Sequence, residues 1–223
     1  MNNPGSGRAQ VLPVGTLTQI CRVHALLPDE GRIGVTAIDK RPVAEPVTVH
    51  SLELRADLQA DRKNHGGADK ALYAYSQSDA DFWAAELGYP VPAGLFGENL
   101  RVAGIEASAA LIGERWQVGE QVLLEVTMPR TPCATFQRRL GEPQWVGRFL
   151  RAGRIGCYLR VLRPGQIEPG DRVEIVHRPG HDVSVAAWLL AADAQMASAL
   201  DAEPELALAP DIRHGVDQLL ASR

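Results

Sequence analysis

"QVLLEVTMPRTPCATF" (Gln121–Phe136) joins two backbone habits that exclude each other. Its first half places Val122, Leu124, Val126 and Met128 on one face, the period-two signature of a strand with a buried side. Its second half carries Pro129 and Pro132, which cannot continue a hydrogen-bonded ladder, so the strand must end in a rigid turn. That turn holds Cys133, with Arg130 three positions before it. A thiol acts as nucleophile or metal ligand in its thiolate form, which neighbouring cations favour. The stretch therefore predicts a β-rich body in which one strand delivers a cation-flanked cysteine to a loop.

Working outward, "GTLTQICRV", "ENLRVAG", "GCYLRVL" and "DRVEIV" are also strand-like, short apolar runs set off by Gly and Pro. Ile155, Cys157, Leu159 and Val161 share a face, which directs Cys157 to the core, and Cys21 sits in a similar strand. Two helices are expected among the strands. "SDADFWAAELG" has Ser78 as its N-cap and Gly88 as its stop. "EPQWVGRFLRAG" has Pro143 early and Gly153 at its end. Beyond residue 182 the chain turns alanine-rich, with Ser184 suited to capping and Trp188, Leu189, Met196 and Leu200 at helical spacing. The expected fold is mainly β with helices (α+β). A flexible arm (1–10) precedes a β-rich body (11–182), and a small C-terminal helical domain (183–223) follows.

With 223 residues, 45% of them hydrophobic, the chain can build a sizeable core. No run approaches the roughly 18 apolar residues of a membrane helix, and the N-terminus lacks a secretory pattern, so a cytoplasmic location is expected. Three cysteines without paired spacing argue against a disulfide framework and against structural zinc. The net charge of −4 gives no sign of a nucleic-acid partner. Its distribution is uneven: Met128–Arg163 holds eight arginines against Glu142 alone. Those arginines have two readings: general arginine usage, since the chain has 20 Arg and 3 Lys, or an anion site gripped by guanidinium forks.

Two further stretches carry polar groups. In "DRKNHGGADKALYAY" (Asp61–Tyr75), Gly66 and Gly67 let the backbone approach a ligand, flanked by His65 and Lys70. In "FGENLRVAG" (Phe96–Gly104), Glu98 and Asn99 offer a carboxylate beside an amide, a pair suited to the edge of a pterin or purine. Each is weak alone. Neither P-loop spacing nor a dinucleotide-binding G-x-G-x-x-G is present.

In order, His-Gly-Gly-x-x-Lys-Ala, Gly-Glu-Asn-Leu and Pro-Arg-x-Pro-Cys resemble the MOSC family, the C-terminal domain of molybdenum cofactor sulfurases, over about residues 15–182. The match is nearest the standalone bacterial branch with a C-terminal three-helix domain, related to hydroxylaminopurine-resistance proteins. The resemblance implies a β-barrel-like body, with Cys133 as ligand to the metal of the molybdenum cofactor (molybdopterin). It places Asn64, His65, Gly66, Gly67, Lys70, Glu98, Asn99, Arg130 and Thr131 in the cofactor pocket, with Arg154 as a looser phosphate contact. The implied activity is reduction of N-hydroxylated compounds such as base analogues, with His65 or Glu98 supplying a proton. The substrate is a small molecule and electrons come from an external reductase; the chain itself is expected to be a monomer or homodimer. A cofactor or sulfur carrier without turnover is the alternative. One departure stands out: where the family commonly has Gly-Asp, "LRADLQAD" has Ala56-Asp57, and alanine tolerates positive φ poorly.

Overall fold

The computed structural model describes residues 12–59 and 66–222. Asn64, His65 and the expected N-terminal arm lie outside the described residues. In chain order the elements are β1 (Val14–Pro28), β2 (Val35–Val43), β3 (Val47–Val49), β4 (Leu72–Ser76), α1 (Gln77–Leu87), β5 (Leu100–Ala103), β6 (Arg115–Val118) and β7 (Val122–Pro129). There follow α2 (Ala134–Leu140), α3 (Trp145–Ala152), β8 (Cys157–Arg163), β9 (Gly165–Ile167), β10 (Arg172–His177), α4 (Val185–Ala191), α5 (Ala194–Asp201) and α6 (Pro210–Ala221).

Seven strands close on themselves in the order β1-β10-β6-β7-β8-β4-β5, and β5 returns to β1. All neighbours run antiparallel except β4 and β5, which pair Ala74 with Leu100 in parallel. The closing contact joins Val14–Thr16 of β1 to Arg172–Glu174 of β10. β1 is long because it does two jobs. Its first half belongs to the barrel, while Ile20 to Pro28 pair with β2 in a hairpin arm that projects beyond it. The short β3 and β9 form a separate two-stranded sheet. Closure leaves few exposed edges, so the inward side chains (Leu17, Leu100, Trp116, Leu124, Leu159 and Val173 among them) are fully buried. Each large apolar side chain removed from water contributes roughly 1.5–3 kcal/mol. Cys21 and Cys157 lie in this core.

The helices depart from the sequence expectation in two places. Ser76, not Ser78, is the N-cap residue of α1 by backbone conformation. Its hydroxyl accepts from the Ala107 N–H at 2.6 Å, whereas Ser78, the second residue of the helix, donates to Glu106. The helix α2 was not expected at all, and it begins directly after Cys133. Gly88 and Gly153 do end α1 and α3, each with positive φ. Beyond residue 182 there are three helices, and the Ser184 hydroxyl accepts from the Ala187 N–H at 3.1 Å to start the first. α4 packs against β7, and its entry is fixed by a bridge from Ser184 to Leu111. Among the described residues no helix is long and apolar enough to cross a membrane.

At the Ala56-Asp57 departure the alanine does take a positive φ. Ala56 has φ 61°, and the Asp57 N–H closes the turn on the Leu54 carbonyl at 3.0 Å. A Cβ in the left-handed region costs on the order of 1 kcal/mol, which glycine avoids. Ala56→Gly is therefore expected to raise stability by about 1 kcal/mol and the melting midpoint by roughly 2–4 °C. Thermal unfolding of the two proteins checks this, and an unchanged or lowered midpoint counts against it.

Candidate functional site

A cavity of about 530 Å³ opens between the hairpin arm and the barrel wall. β2 supplies Val35 to Ile38 and Lys40, β4 supplies Tyr73, β8 supplies Tyr158, and α2 with the turn before it supplies Arg130, Cys133, Thr135 and Arg138. Asp29, Arg32, Gln59, Lys70 and Asn99 add to the polar lining, and Ile33, Leu58 and Phe96 to the apolar one. Cys133 is half-buried here, in extended backbone at the N-cap of α2, and its carbonyl accepts from the Gln137 N–H at 3.1 Å.

Aromatic packing fixes the helix that carries this thiol. Phe136 is fully buried, 5.3 Å from the Phe96 ring, 5.6 Å from Trp145 and 5.0 Å from Phe149. Such edge-on contacts add roughly 0.5–1.5 kcal/mol each to area burial. On its other side α2 is tied to the hairpin arm. Arg138 donates to both oxygens of Asp29 at 2.9 and 2.7 Å, Thr135 donates to Asp29 at 3.0 Å, and Arg139 reaches Asp39 at 2.5 Å. The Arg138 contact holds the Asp29 carboxyl below its ordinary range.

The eight arginines of Met128–Arg163 now separate by role. Arg138, Arg139, Arg148, Arg154 and Arg160 pair with carboxylates, and Arg151 and Arg163 are exposed. Arg130 is different. It is 4% exposed, stacks at 4.0 Å over Phe136, and donates to the Thr131 carbonyl at 3.4 Å; among the described residues no carboxylate meets it. A buried guanidinium without an anion is costly unless a ligand supplies one. Most of the run is thus engaged in ion pairs within the fold, and Arg130 is the arginine of the run that lines the cavity with Cys133 without such a pair among the described residues.

The other expected site residues divide. Lys70 lines the cavity and meets Asp211 of α6 at 3.0 Å. Asn99 lines it too, yet its amide is engaged in the fold. The oxygen accepts from the Tyr73 N–H at 3.2 Å, and the nitrogen donates to Asp57 at 2.7 Å and to the Cys21 carbonyl at 3.3 Å. Asp57 also accepts from Lys40 at 2.6 Å, so the residue after the strained alanine anchors one wall. Gly67, with φ 95°, donates at 3.3 Å to Gln59, whose amide donates in turn to the Lys70 carbonyl. Gly66 is half-buried beside it. Glu98 is not among the residues that line the cavity. It is fully buried in an ion pair with Arg101 and accepts from the Phe96 N–H at 3.1 Å. Arg154 also lies away from the cavity, bound to Asp79 at 2.6 Å and stacked on Phe82. Thr131 is exposed and outside the lining.

The thiols differ in the same way. Burial pushes Cys21 up to about 12 and Cys157 well above its ordinary value, so both stay protonated. Cys133 is the thiol that reaches a cavity. Sequence reading missed Lys40, Tyr73 and Tyr158. For Tyr158 a signal existed: if Cys157 and Leu159 face the core, period two sends Tyr158 to the opposite face.

Comparison with known proteins places the chain in a family. The MOSC domain family matches residues 61–174, and the chain belongs to it, a family associated with the molybdenum cofactor. The chain is similar to YflK of Bacillus subtilis, at 35% identity over 156 residues that cover 70% of each protein. A Gibberella moniliformis protein named Reductase is 34% identical over 167 residues, 72% of this chain but 29% of that one. The crystal structure of YiiM from Geobacillus stearothermophilus superposes with a TM-score of 0.75 at 28% identity, covering 92% of this chain and 99% of that one.

Proposed function

We propose that the chain is a molybdenum-cofactor-dependent reductase of N-hydroxylated compounds. One observation carries the reading: the accessible thiol of Cys133 and the buried guanidinium of Arg130, which meets no carboxylate among the described residues, line the same cavity. The donor set fits the group. A thiolate is a soft ligand suited to a heavy transition metal, and a guanidinium fork suits the phosphate of the pterin tail. When bound, the cofactor supplies the two-electron redox chemistry. The chain's own residues would hold it: Cys133 would bind the metal, Arg130 with Lys70 would meet the phosphate, and Tyr73, Phe96 and Ile38 would supply apolar wall.

Electrons have to come from a partner, because no flavin or nicotinamide fingerprint occurs in the sequence. The relative named Reductase is matched over 29% of its length, so most of that protein lies outside the matched part. An external reductase would serve this chain.

The test is to purify the protein from cells that make the cofactor, measure molybdenum by elemental analysis, and supply an artificial electron donor with an N-hydroxylated base. Near-stoichiometric molybdenum and many turnovers are expected. Bound metal with less than one product per chain favours a carrier, and protein without molybdenum rejects the reading. For the anion end, Arg130→Met keeps the bulk over Phe136 but removes the fork. Charge-assisted hydrogen bonds of about 1.5–3 kcal/mol predict a 10- to 150-fold weaker affinity for a pterin phosphate. Titration calorimetry on both proteins reads this directly; equal affinities return Arg130 to a structural role.

A further inference from the structure

Breaking an N–O bond demands a proton donor; of the two expected ones, His65 lies outside the described residues and Glu98 is held in a buried ion pair with Arg101. We infer that Tyr158 is the group that donates a proton to the departing oxygen, an assignment that rests on the proposed reductase activity.

Three observations meet at this side chain. Tyr158 lines the cavity with Cys133 and Arg130, and is 9% exposed. It sits where β8 crosses both neighbours, opposite Met128 of β7 and Tyr73 of β4, with its ring 5.6 Å from the Tyr73 ring. Its hydroxyl is uncommitted. Of the four tyrosines, Tyr73 donates to the Ile155 carbonyl at 2.9 Å, Tyr75 to the Arg154 carbonyl at 2.7 Å and Tyr89 to Glu142 at 3.0 Å. Among the described residues the Tyr158 Oη has no hydrogen-bond partner, and it is not sealed away from the cavity. A nearly buried hydroxyl with nothing to bond is the group a substrate oxygen would satisfy.

Its protonation suits the task. A phenol ordinarily keeps its proton at neutral pH, and burial pushes Tyr158 further in that direction. The group therefore carries its proton at neutral pH. Hydroxide leaving the nitrogen is a far stronger base than a phenolate, so transfer runs downhill as the bond breaks. The balance is R–NH–OH + 2 e⁻ + 2 H⁺ → R–NH₂ + H₂O. The N–O bond breaks, the electron pair arrives from the external reductase, Tyr158 protonates the departing oxygen, and water protonates the nitrogen. Solvent entering the open cavity returns the proton to the phenolate.

Tyr158→Phe deletes this hydroxyl and little else. Expected are unchanged molybdenum content, unchanged reactivity of the Cys133 thiol and a kcat about 100-fold lower, the scale of a general acid. A second readout needs no cofactor: calorimetric binding of an N-hydroxylated base to the metal-free protein should weaken about fivefold, the worth of one hydrogen bond. If the wild type turns over and the variant matches it in rate, Tyr158 is not the donor. A variant that loses molybdenum or thiol reactivity assigns the tyrosine to structure and overturns the inference. A wild type without reductase activity overturns the proposed function, and this assignment falls with it.

Discussion

Cys133→Ala is expected to fold like the wild type and to be isolated with molybdenum reduced more than about 100-fold. The two halves of this expectation have separate causes. The fold should survive because the side chain does no capping: Cys133 starts α2 by backbone conformation, without a side-chain cap bond, and alanine adopts that extended geometry freely. What holds α2 in place is Phe136 in the aromatic cluster and Arg138 on Asp29, both untouched. The metal should be lost because removing an outer contact alone typically costs 10- to 100-fold in affinity, and a direct ligand costs more. No other accessible thiol can substitute, since Cys21 and Cys157 lie fully buried. Elemental analysis measures the loss of metal. Thermal unfolding and a count of reactive thiols in the native state check the fold and the substitution: the midpoint should move by no more than a few degrees, and the fast-reacting thiol should vanish. Equal molybdenum in both proteins would remove Cys133 as ligand.

The barrel's strands were legible wherever period two ran long enough. Val122 to Met128 and Ile155 to Val161 announced β7 and β8, and the glycines at 88 and 153 announced where two helices stop. The helix α2 stayed hidden because it is seven residues long and follows two prolines, with only Phe136 and Leu140 at helical spacing. So short a segment carries no reliable periodicity; its helix comes from the tertiary contacts of Phe136 and Arg138. Closure was equally invisible, since β1 meets β10 across most of the chain and pairing at that separation leaves no local mark. The arginine run shows the same limit for the site. Asp29 and Asp39 lie about a hundred positions from the arginines they neutralise, so local charge density could not show which arginines are already paired. The Gly-Glu-Asn stretch did point to the cavity wall, through Asn99. It could not say that its carboxylate turns the other way.

That carboxylate gives the second large effect. Arg101→Met is expected to destabilise the protein by about 3–5 kcal/mol, the usual cost of stranding one member of a buried pair. Glu98 and Arg101 are 0% and 1% exposed, and Arg101 Nε lies 3.0 Å from the carboxylate with a second nitrogen bonded to the same oxygen. The guanidinium also donates to the Val91 and Pro92 carbonyls, each at 3.4 Å, and lies over the Tyr75 ring. Deleting it leaves a charge in a dry interior and two carbonyls underserved. At 2–4 °C per kcal/mol the midpoint should fall by roughly 6–20 °C. Glu98→Gln combined with Arg101→Met should recover part of the loss, because the amide still accepts from Phe96 and no charge remains stranded. Thermal melts of the two variants decide it, and a single variant as stable as the wild type refutes the stranded-charge argument. The double variant also separates structure from chemistry. A carboxylate acting as acid would take turnover with it when replaced by an amide, whatever the melting midpoint. A carboxylate serving only to neutralise Arg101 leaves kcat within a few-fold once the charge is gone.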